Sequence, residues 1–353
     1  MYRKEVSKIA VDPYLLERLV CPRHRVPLSD NGSSLWCSKG HDYPVVDGIP
    51  VLLDEGPQTL WVAESSLKYA RHPEEYADKD PYHIGTMLSE DQHAMFQEVL
   101  SRADGRVDPV VQMMVAATNG MAYQHLIGKL EDYPIPQLRL PPAKGQVLLD
   151  IGCNWGRWCI AAARLGYKPI GIDPSLGAVL AAKRVSTQMG LDLRFVVGDA
   201  RTLPFLSGCF DVVYSYSVLQ HFSREDAVKA IQEVGRTLQV EGKSFIQMPT
   251  PYGLRCIYHQ IRRGFRETEG FDVRYWSVPA LRRVFSKYVG RTTFSIDCFF
   301  GIGLQPSDLR FMPPSHRAAI RVSEMLRGSS RILPWLRYVA DSVYVESIRT
   351  AAV

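Results

Sequence analysis

The stretch VLLDIGCNWGRWCIAAARLG, Val147 to Gly166, limits what this chain can fold into more than any other. It reads as a buried strand, a turn containing Gly152 and Gly156, and a helix that Gly166 can end. A strand that enters a helix through a glycine turn is half of a parallel βαβ unit, and the pattern continues. Strands are predicted at KPIGIDP, LRFVVGDA, FDVVYSYSV and KSFIQM, with helices at AVLAAKRVSTQMG and REDAVKAIQEVGRTL. Helical segments of this size between strands imply right-handed crossovers and a largely parallel sheet, hence an α/β fold.

Such a turn invites a nucleotide, and its residues narrow the choice. Asp150 ends the strand, and a carboxylate there repels phosphate. Gly156-Arg157-Trp158 supplies neither the Lys nor the Ser/Thr that a triphosphate loop needs. A dinucleotide turn begins with Gly directly after its strand and leaves the helix N-terminus to a pyrophosphate, which places an oxidoreductase well behind. An acid beside a glycine turn suits a cationic ligand instead. The methionine half of S-adenosylmethionine bears an ammonium and a sulfonium, and Gly152 and Gly156 allow close backbone approach. Asn154, the non-Gly type best suited to a left-handed conformation, stands between them.

Two further acids follow at strand ends. Asp173, before Pro174, stands where a carboxylate accepts both ribose hydroxyls, and Asp199, before Ala200, stands where a side chain reaches an adenine amino group. Three acids at the tips of adjacent strands would face one crevice.

With these residues in view, the segment from Val147 to about Met248 resembles class I S-adenosylmethionine-dependent methyltransferases. The resemblance rests on LLDIGCNWGRW, GIDPS, VVGDARTLPF, FDVVYSYSVLQHF and VGRTLQVEGKSFIQM. It implies a Rossmann-like sheet, mostly parallel, of seven strands with one antiparallel. It also implies that Asp150, Gly152, Asn154 and Gly156 hold the methionine portion, Asp173 and Pro174 the ribose, and Asp199 and Ala200 the adenine. Ser215, at the end of the fourth strand, lies beside them.

Methyl transfer from a sulfonium is an in-line displacement in which the protein aligns the reactants and, for a hydroxyl acceptor, removes a proton. Family members that act on small molecules, sugars or quinones often have Leu-x-His after the fourth strand. His221 in SYSVLQHF is therefore the candidate base, with capping of the next helix as its structural alternative. Gln220 beside it and Tyr123 in NGMAYQHLIG are candidate substrate contacts. The Asn/Asp-Pro-Pro-aromatic motif of enzymes that methylate exocyclic amino groups is missing here. The leading expectation is a methyltransferase for a small-molecule or glycan hydroxyl. An RNA methyltransferase is the alternative, and a non-catalytic cofactor-binding scaffold the reading from another class.

Ahead of this unit, residues 14–53 read as a short helix and small hairpins broken at Asn31-Gly32 and Asp47-Gly48. Cys21 and His24, then Cys37 and His41, form two ligand pairs suited to tetrahedral zinc. A block of about 40 residues gains from a metal staple because its own core is small. YPVVDGIPVLL resembles the zinc-ribbon activators that partner RNA and protein methyltransferases, and the ligand spacing resembles the ribbon of a ribosomal RNA guanine methyltransferase. His24 departs from both, where Cys is usual. The alternative is a metal-free ribbon held by Leu35, Trp36, Tyr43 and Val51.

The division expected is a ribbon at 1–54, a helical linker or lid at 55–140, and the methyltransferase unit at 141–353, with substrate insertions at about 251–277 and 303–340. A net charge of +5 is too small for a nucleic-acid footprint by itself. Seven cysteines, an odd number spread along the chain, do not suggest a disulfide framework. With no signal-peptide pattern and no uncharged apolar run long enough to span a bilayer, a cytoplasmic location is expected. The arginines of RCIYHQIRRGFR (Arg255, Arg262, Arg263, Arg266) read first as a solvated helix face and second as a site for an anionic acceptor group.

Overall fold

The computed structural model describes residues 11–54, 60–76, 80–84, 88, 90–266, 270, 272–301 and 303–351; residues 267–269 and 271 of the expected insertion at 251–277 lie outside them. The alternation that begins at Val147 produces seven strands: β5 (Val147–Ile151), β6 (Lys168–Asp173), β7 (Arg194–Gly198), β8 (Phe210–Ser215), β9 (Leu238–Pro249), β10 (Gly290–Cys298) and β11 (Ser342–Arg349). They lie in the order β7-β6-β5-β8-β9-β11-β10. β7, β6, β5, β8 and β9 pair in parallel, and β11 slots between β9 and β10 antiparallel to both.

Both faces of the sheet are covered, which is why its strands read as continuous apolar runs. Leu149 and Ile151 pack with Ala227 and Ile231 of helix α8 (Arg224–Thr237) and Leu281 and Phe285 of α10 (Val278–Tyr288). Leu148, with the opposite parity, meets Trp158 and Ala161 of α6 (Arg157–Arg164). α7 (Leu176–Gln188) lies on that second face, its Val179 against Phe195 and Val197. Within the first of these layers α8 and α10 nearly touch at Gly235 on α8, where a Cβ would stand 2.0 Å from the Tyr288 carbonyl oxygen.

The sheet has eleven strands rather than seven, because the N-terminal block is built into it. α1 (Pro13–Leu16) precedes β1 (Leu28–Asp30), β2 (Ser34–Cys37), β3 (Asp42–Val46) and β4 (Ile49–Leu52). Asp47 and Gly48, both at positive φ, make the tight hairpin between β3 and β4. β4 then pairs in parallel with β7, Val51 opposite Val197 and Leu52 opposite Gly198. Leu15, Leu19, Leu35 and Tyr43 share one core with Ile172 and Phe205. Arg25 crosses to Glu233 on α8 at 2.8 Å. The expectation of a separate small domain is corrected to a block continuous with the main sheet. Trp36 is exposed; Leu35 and Tyr43 join that core without it, and Val51 packs in a second cluster with Val179 and Val197.

Between the block and β5 run α2 (Trp61–Arg71), α3 (Pro73–Tyr76), α4 (Glu90–Arg102) and α5 (Pro109–Thr118). The helical pattern through NGMAYQHLIG does not continue α5, because Gly120 at φ 103° breaks it and a 3-10 segment (Met121–Leu126) follows. α9 (Leu254–Arg262) occupies the first expected insertion and α11 (Pro314–Ser329) the second.

Candidate active site

The first turn is held by backbone bonds to its neighbour strand: the N–H groups of Gly152 and Cys153 both donate to the Ile172 carbonyl, at 2.8 and 3.0 Å. Gly152, Asn154 and Gly156 all have positive φ, at 74°, 46° and 82°. Each glycine also has a packing reason to lack a side chain. A Cβ on Gly152 would lie 2.2 Å from Val218, and one on Gly156 would lie 3.1 Å from Ala182. The SYSVLQHF segment is thereby placed directly over the turn.

Asp150 and Asp173 end neighbouring strands and feel one another's charge. Asp150 is fully buried; its Oδ2 accepts from the Cys159 thiol at 3.3 Å, and Oδ1 has no hydrogen-bond partner among the described residues. Burial pushes its pKa up to about 7, Asp173 adds to the rise, and the Cys159 bond and Arg157 oppose it. Asp173 accepts from the Asn154 N–H at 3.0 Å and the Ser175 N–H at 2.9 Å, tying the turn to the start of α7. Burial outweighs these bonds and raises its pKa to about 6. Pro174 follows, half-buried.

Asp199 stands at the tip of β7 as expected, but its carboxylate is already engaged. Arg201 grips both oxygens, with Nη2 2.6 Å from Oδ2, and also reaches Asp226 at 3.4 Å. Ala200 beside it is buried. An adenine amino group would have to share Asp199 with Arg201.

Ser215 is buried and donates to the Ile151 carbonyl at 3.0 Å, a bond that locks β8 to β5. After it, Ser217 at φ 62° turns the chain into a single 3-10 turn (Leu219–His221). Gln220 Nε2 lies 2.7 Å from Ser217 Oγ and 3.2 Å from His221 Nε2, and Arg274 holds the His221 carbonyl. The half-buried imidazole thus lies one 3-10 turn beyond Val218, the residue that packs on Gly152. Ser223, not His221, caps α8.

Tyr123 is not a surface ligand. It is fully buried, and its hydroxyl donates to Asp308 Oδ1 at 2.5 Å, joining the segment before β5 to the insertion at 303–340.

A residue missed in the sequence completes the site. Arg157, the first residue of α6, is more than nine-tenths buried and forms no hydrogen bond or ion pair among the described residues. Its guanidinium lies 5.2 Å from the Trp158 ring centroid and 6.0 Å from that of Tyr216. Aromatic faces offset part of its desolvation cost, but a buried unpaired cation at the positive end of a helix still calls for an anion. The signal was present in its position, directly after the glycine turn. Away from this region, a cavity of about 140 Å³ near the opposite sheet edge is lined by Arg139, Tyr214, Arg327 and Glu346; none of the three acids borders it.

In the N-terminal block, Cys21, His24 and Cys37 converge. His24 Nδ1 lies 3.7 Å from Cys21 Sγ and 3.6 Å from Cys37 Sγ. His41, the fourth residue expected, lies beside these three converging ligand atoms. Its Nε2 faces Arg23 Nη1 at 2.9 Å, while its Nδ1 is buried without a partner. Its ring centroid is 4.6 Å from that of His24.

Comparison with known proteins gives matches to the central part of the chain. Residues 148–242 match the family model described as a methyltransferase domain. A ubiquinone biosynthesis O-methyltransferase of Brucella anthropi is 39% identical over 141 residues, 36% of this chain and 54% of that protein. An uncharacterized methyltransferase of Bacillus subtilis, YcgJ, is 33% identical over 97 residues, 27% of this chain and 38% of its own length. The crystal structure of YcgJ aligns over 59% of this chain and 94% of the YcgJ chain with 19% identity and a TM-score of 0.41. This chain spans about half the length, or less, of the curated relatives it matches. Among the described residues no helix is long and apolar enough to cross a membrane.

Proposed function

We propose that the chain transfers a methyl group from S-adenosylmethionine to a hydroxyl oxygen of a small-molecule acceptor. The observation that carries this is the pair Asp150 and Arg157. Two opposite charges are buried at one glycine turn: among the described residues Asp150 Oδ1 has no hydrogen-bond partner, Arg157 forms no hydrogen bond or ion pair, and the two are not bonded to each other. A zwitterionic amino acid end satisfies both, the ammonium at Asp150 and the carboxylate at Arg157. A hydride or phosphoryl donor has no such end. When bound, the cofactor supplies a methyl group on a good leaving group.

In this reading Asp173 accepts from the ribose hydroxyls, Pro174 flanks them, and Ala200 with Asp199 lines the adenine. His221 takes the proton from the acceptor hydroxyl, and Gln220 keeps the imidazole in place. The names of the relatives, ubiquinone biosynthesis O-methyltransferases, favour oxygen over nitrogen as the accepting atom. Titration calorimetry with S-adenosylmethionine and with NAD tests the reading. Saturable binding of the first alone supports it, and binding of NAD alone ends it.

The N-terminal cluster is proposed as a structural zinc site of Cys21, His24 and Cys37. Tetrahedral zinc with Zn–S of about 2.3 Å and Zn–N of about 2.0 Å sets sulfur and nitrogen roughly 3.5 Å apart. The 3.6 and 3.7 Å separations seen here support that fit. The buried Nδ1 of His41 is the candidate fourth ligand.

A further inference from the structure

α9 is amphipathic in the wrong sense for a surface helix. Leu254, Tyr258 and Ile261, with Phe265 just past its end, recur at steps of four, three and four and so share one stripe. That stripe faces outward, the residues being 70%, 54%, 60% and 68% exposed. The inward side is small and polar. It rests on buried Cys256 and on Gln260, whose Nε2 donates to the carbonyls of Pro251 and Cys256. A surface helix ordinarily buries its apolar stripe and leaves the polar face wet.

A second apolar group lies next to it. Ile332 is 84% exposed and Trp335 57%, in the segment after α11. Asp341 ties the two together: its Oδ1 accepts from the N–H groups of Arg255 and Cys256 at 2.9 and 3.1 Å, and Ala340 before it receives the Thr250 hydroxyl. The start of α9 is therefore fixed at the end of the stretch that follows Ile332 and Trp335. Residues 251–266 contain four arginines and residues 325–339 three, with no Asp or Glu in either stretch. Arg262, Arg266 and Arg331 have no ion pair among the described residues.

We propose that this face docks on the surface of an anionic lipid bilayer, α9 lying in the headgroup region with its apolar stripe inserted. Aromatic and aliphatic residues alternating with arginines are what such an interface requires. A protein partner fits less well, since charge is depleted at the centre of protein–protein interfaces. A second copy fits worse, because a two-fold contact through this face sets arginine against arginine. The proposal is independent of the assignment of the cofactor site.

The test is flotation of the full chain with vesicles of phosphatidylcholine alone and of phosphatidylcholine containing phosphatidylglycerol. Expected is binding to the mixed vesicles only, lost in high salt. Leu254→Ser/Ile261→Ser should lower the bound fraction at least about tenfold while leaving the melting temperature unchanged, both side chains being exposed. Arg262→Gln/Arg266→Gln should weaken binding and flatten its salt dependence. Failure to float with either vesicle overturns the proposal, as does flotation that neither double variant reduces. So does a concentration-dependent dimer, seen by light scattering, that the Leu254→Ser/Ile261→Ser chain cannot form.

Discussion

Asp150 and Arg157 are separated by one glycine turn, both more than nine-tenths buried, and they do not pair. An acid and a base this close ordinarily form an ion pair. Here each is held by its own element, Asp150 at the end of a strand and Arg157 at the start of a helix, so neither swings toward the other.

Replacing Arg157 with Met should therefore do two opposite things. The ligand-free protein should melt a few degrees higher, because a buried cation without a direct ion pair is gone. Affinity for S-adenosylmethionine should fall by about 10- to 100-fold, the worth of a charge-assisted hydrogen bond. Calorimetric binding and thermal melts of the same preparation check both, and a lower melting temperature with unchanged affinity would contradict the role.

The pH dependence of stability carries the mark of Asp150. Burial keeps its carboxyl protonated up to about pH 7, and Asp173 up to about 6, whereas the unfolded chain ionises both near pH 4. Between those values the native state binds more protons. The contribution of these groups to stability is thus complete below about pH 4 and lost as pH rises through 6 to 7. Compared with the parent, Asp150→Asn should show a flatter fall of melting temperature between about pH 5 and 7.5. Binding of the cationic ligand should release a proton in the parent over the same interval and not in the variant.

Asp173→Ala should weaken S-adenosylmethionine binding by about 10- to 100-fold through loss of the ribose contacts. It also frees the Asn154 and Ser175 N–H groups and so lowers stability. Asp173→Asn, which can still accept from one of them, separates the two effects when binding is measured well below the melting temperature.

If His221 is the base, His221→Ala should reduce turnover by about 10²- to 10⁴-fold with cofactor affinity unchanged. The lost rate should be least with acceptors whose hydroxyl is already ionised at the assay pH. Equal loss with every acceptor would point to a structural role instead.

Metal analysis of the purified protein should find one zinc per chain. Cys37→Ser should lose it and melt lower, and removal of zinc by a chelator should reproduce that shift in the parent but not in the variant.

Much of the site was legible because its residues sit at strand ends. Asp150, Asp173 and Asp199 follow apolar runs that can only be buried strands, and Asn154 takes the left-handed conformation its type allows. What escaped was decided by pairing across distance. Nothing in VVDGIPVLL announces that Val51 will lie beside Val197, because alternation reveals a strand without its partner. Arg157 read as a polar residue on a helix, and only packing by Trp158 and Tyr216 makes it a buried charge. Asp199 looked available until Arg201, two residues on, folded back over it.

The pairing of β4 with β7 has a practical corollary. Cutting the chain at residue 54 to isolate the catalytic half would strip a neighbour from β7 and leave backbone amides bare along a hydrophobic margin. A shortened protein of that kind should clump during expression. Residues 11–54 act as the hem of the sheet, and any attempt to transplant them onto another protein must bring along a strand for them to finish.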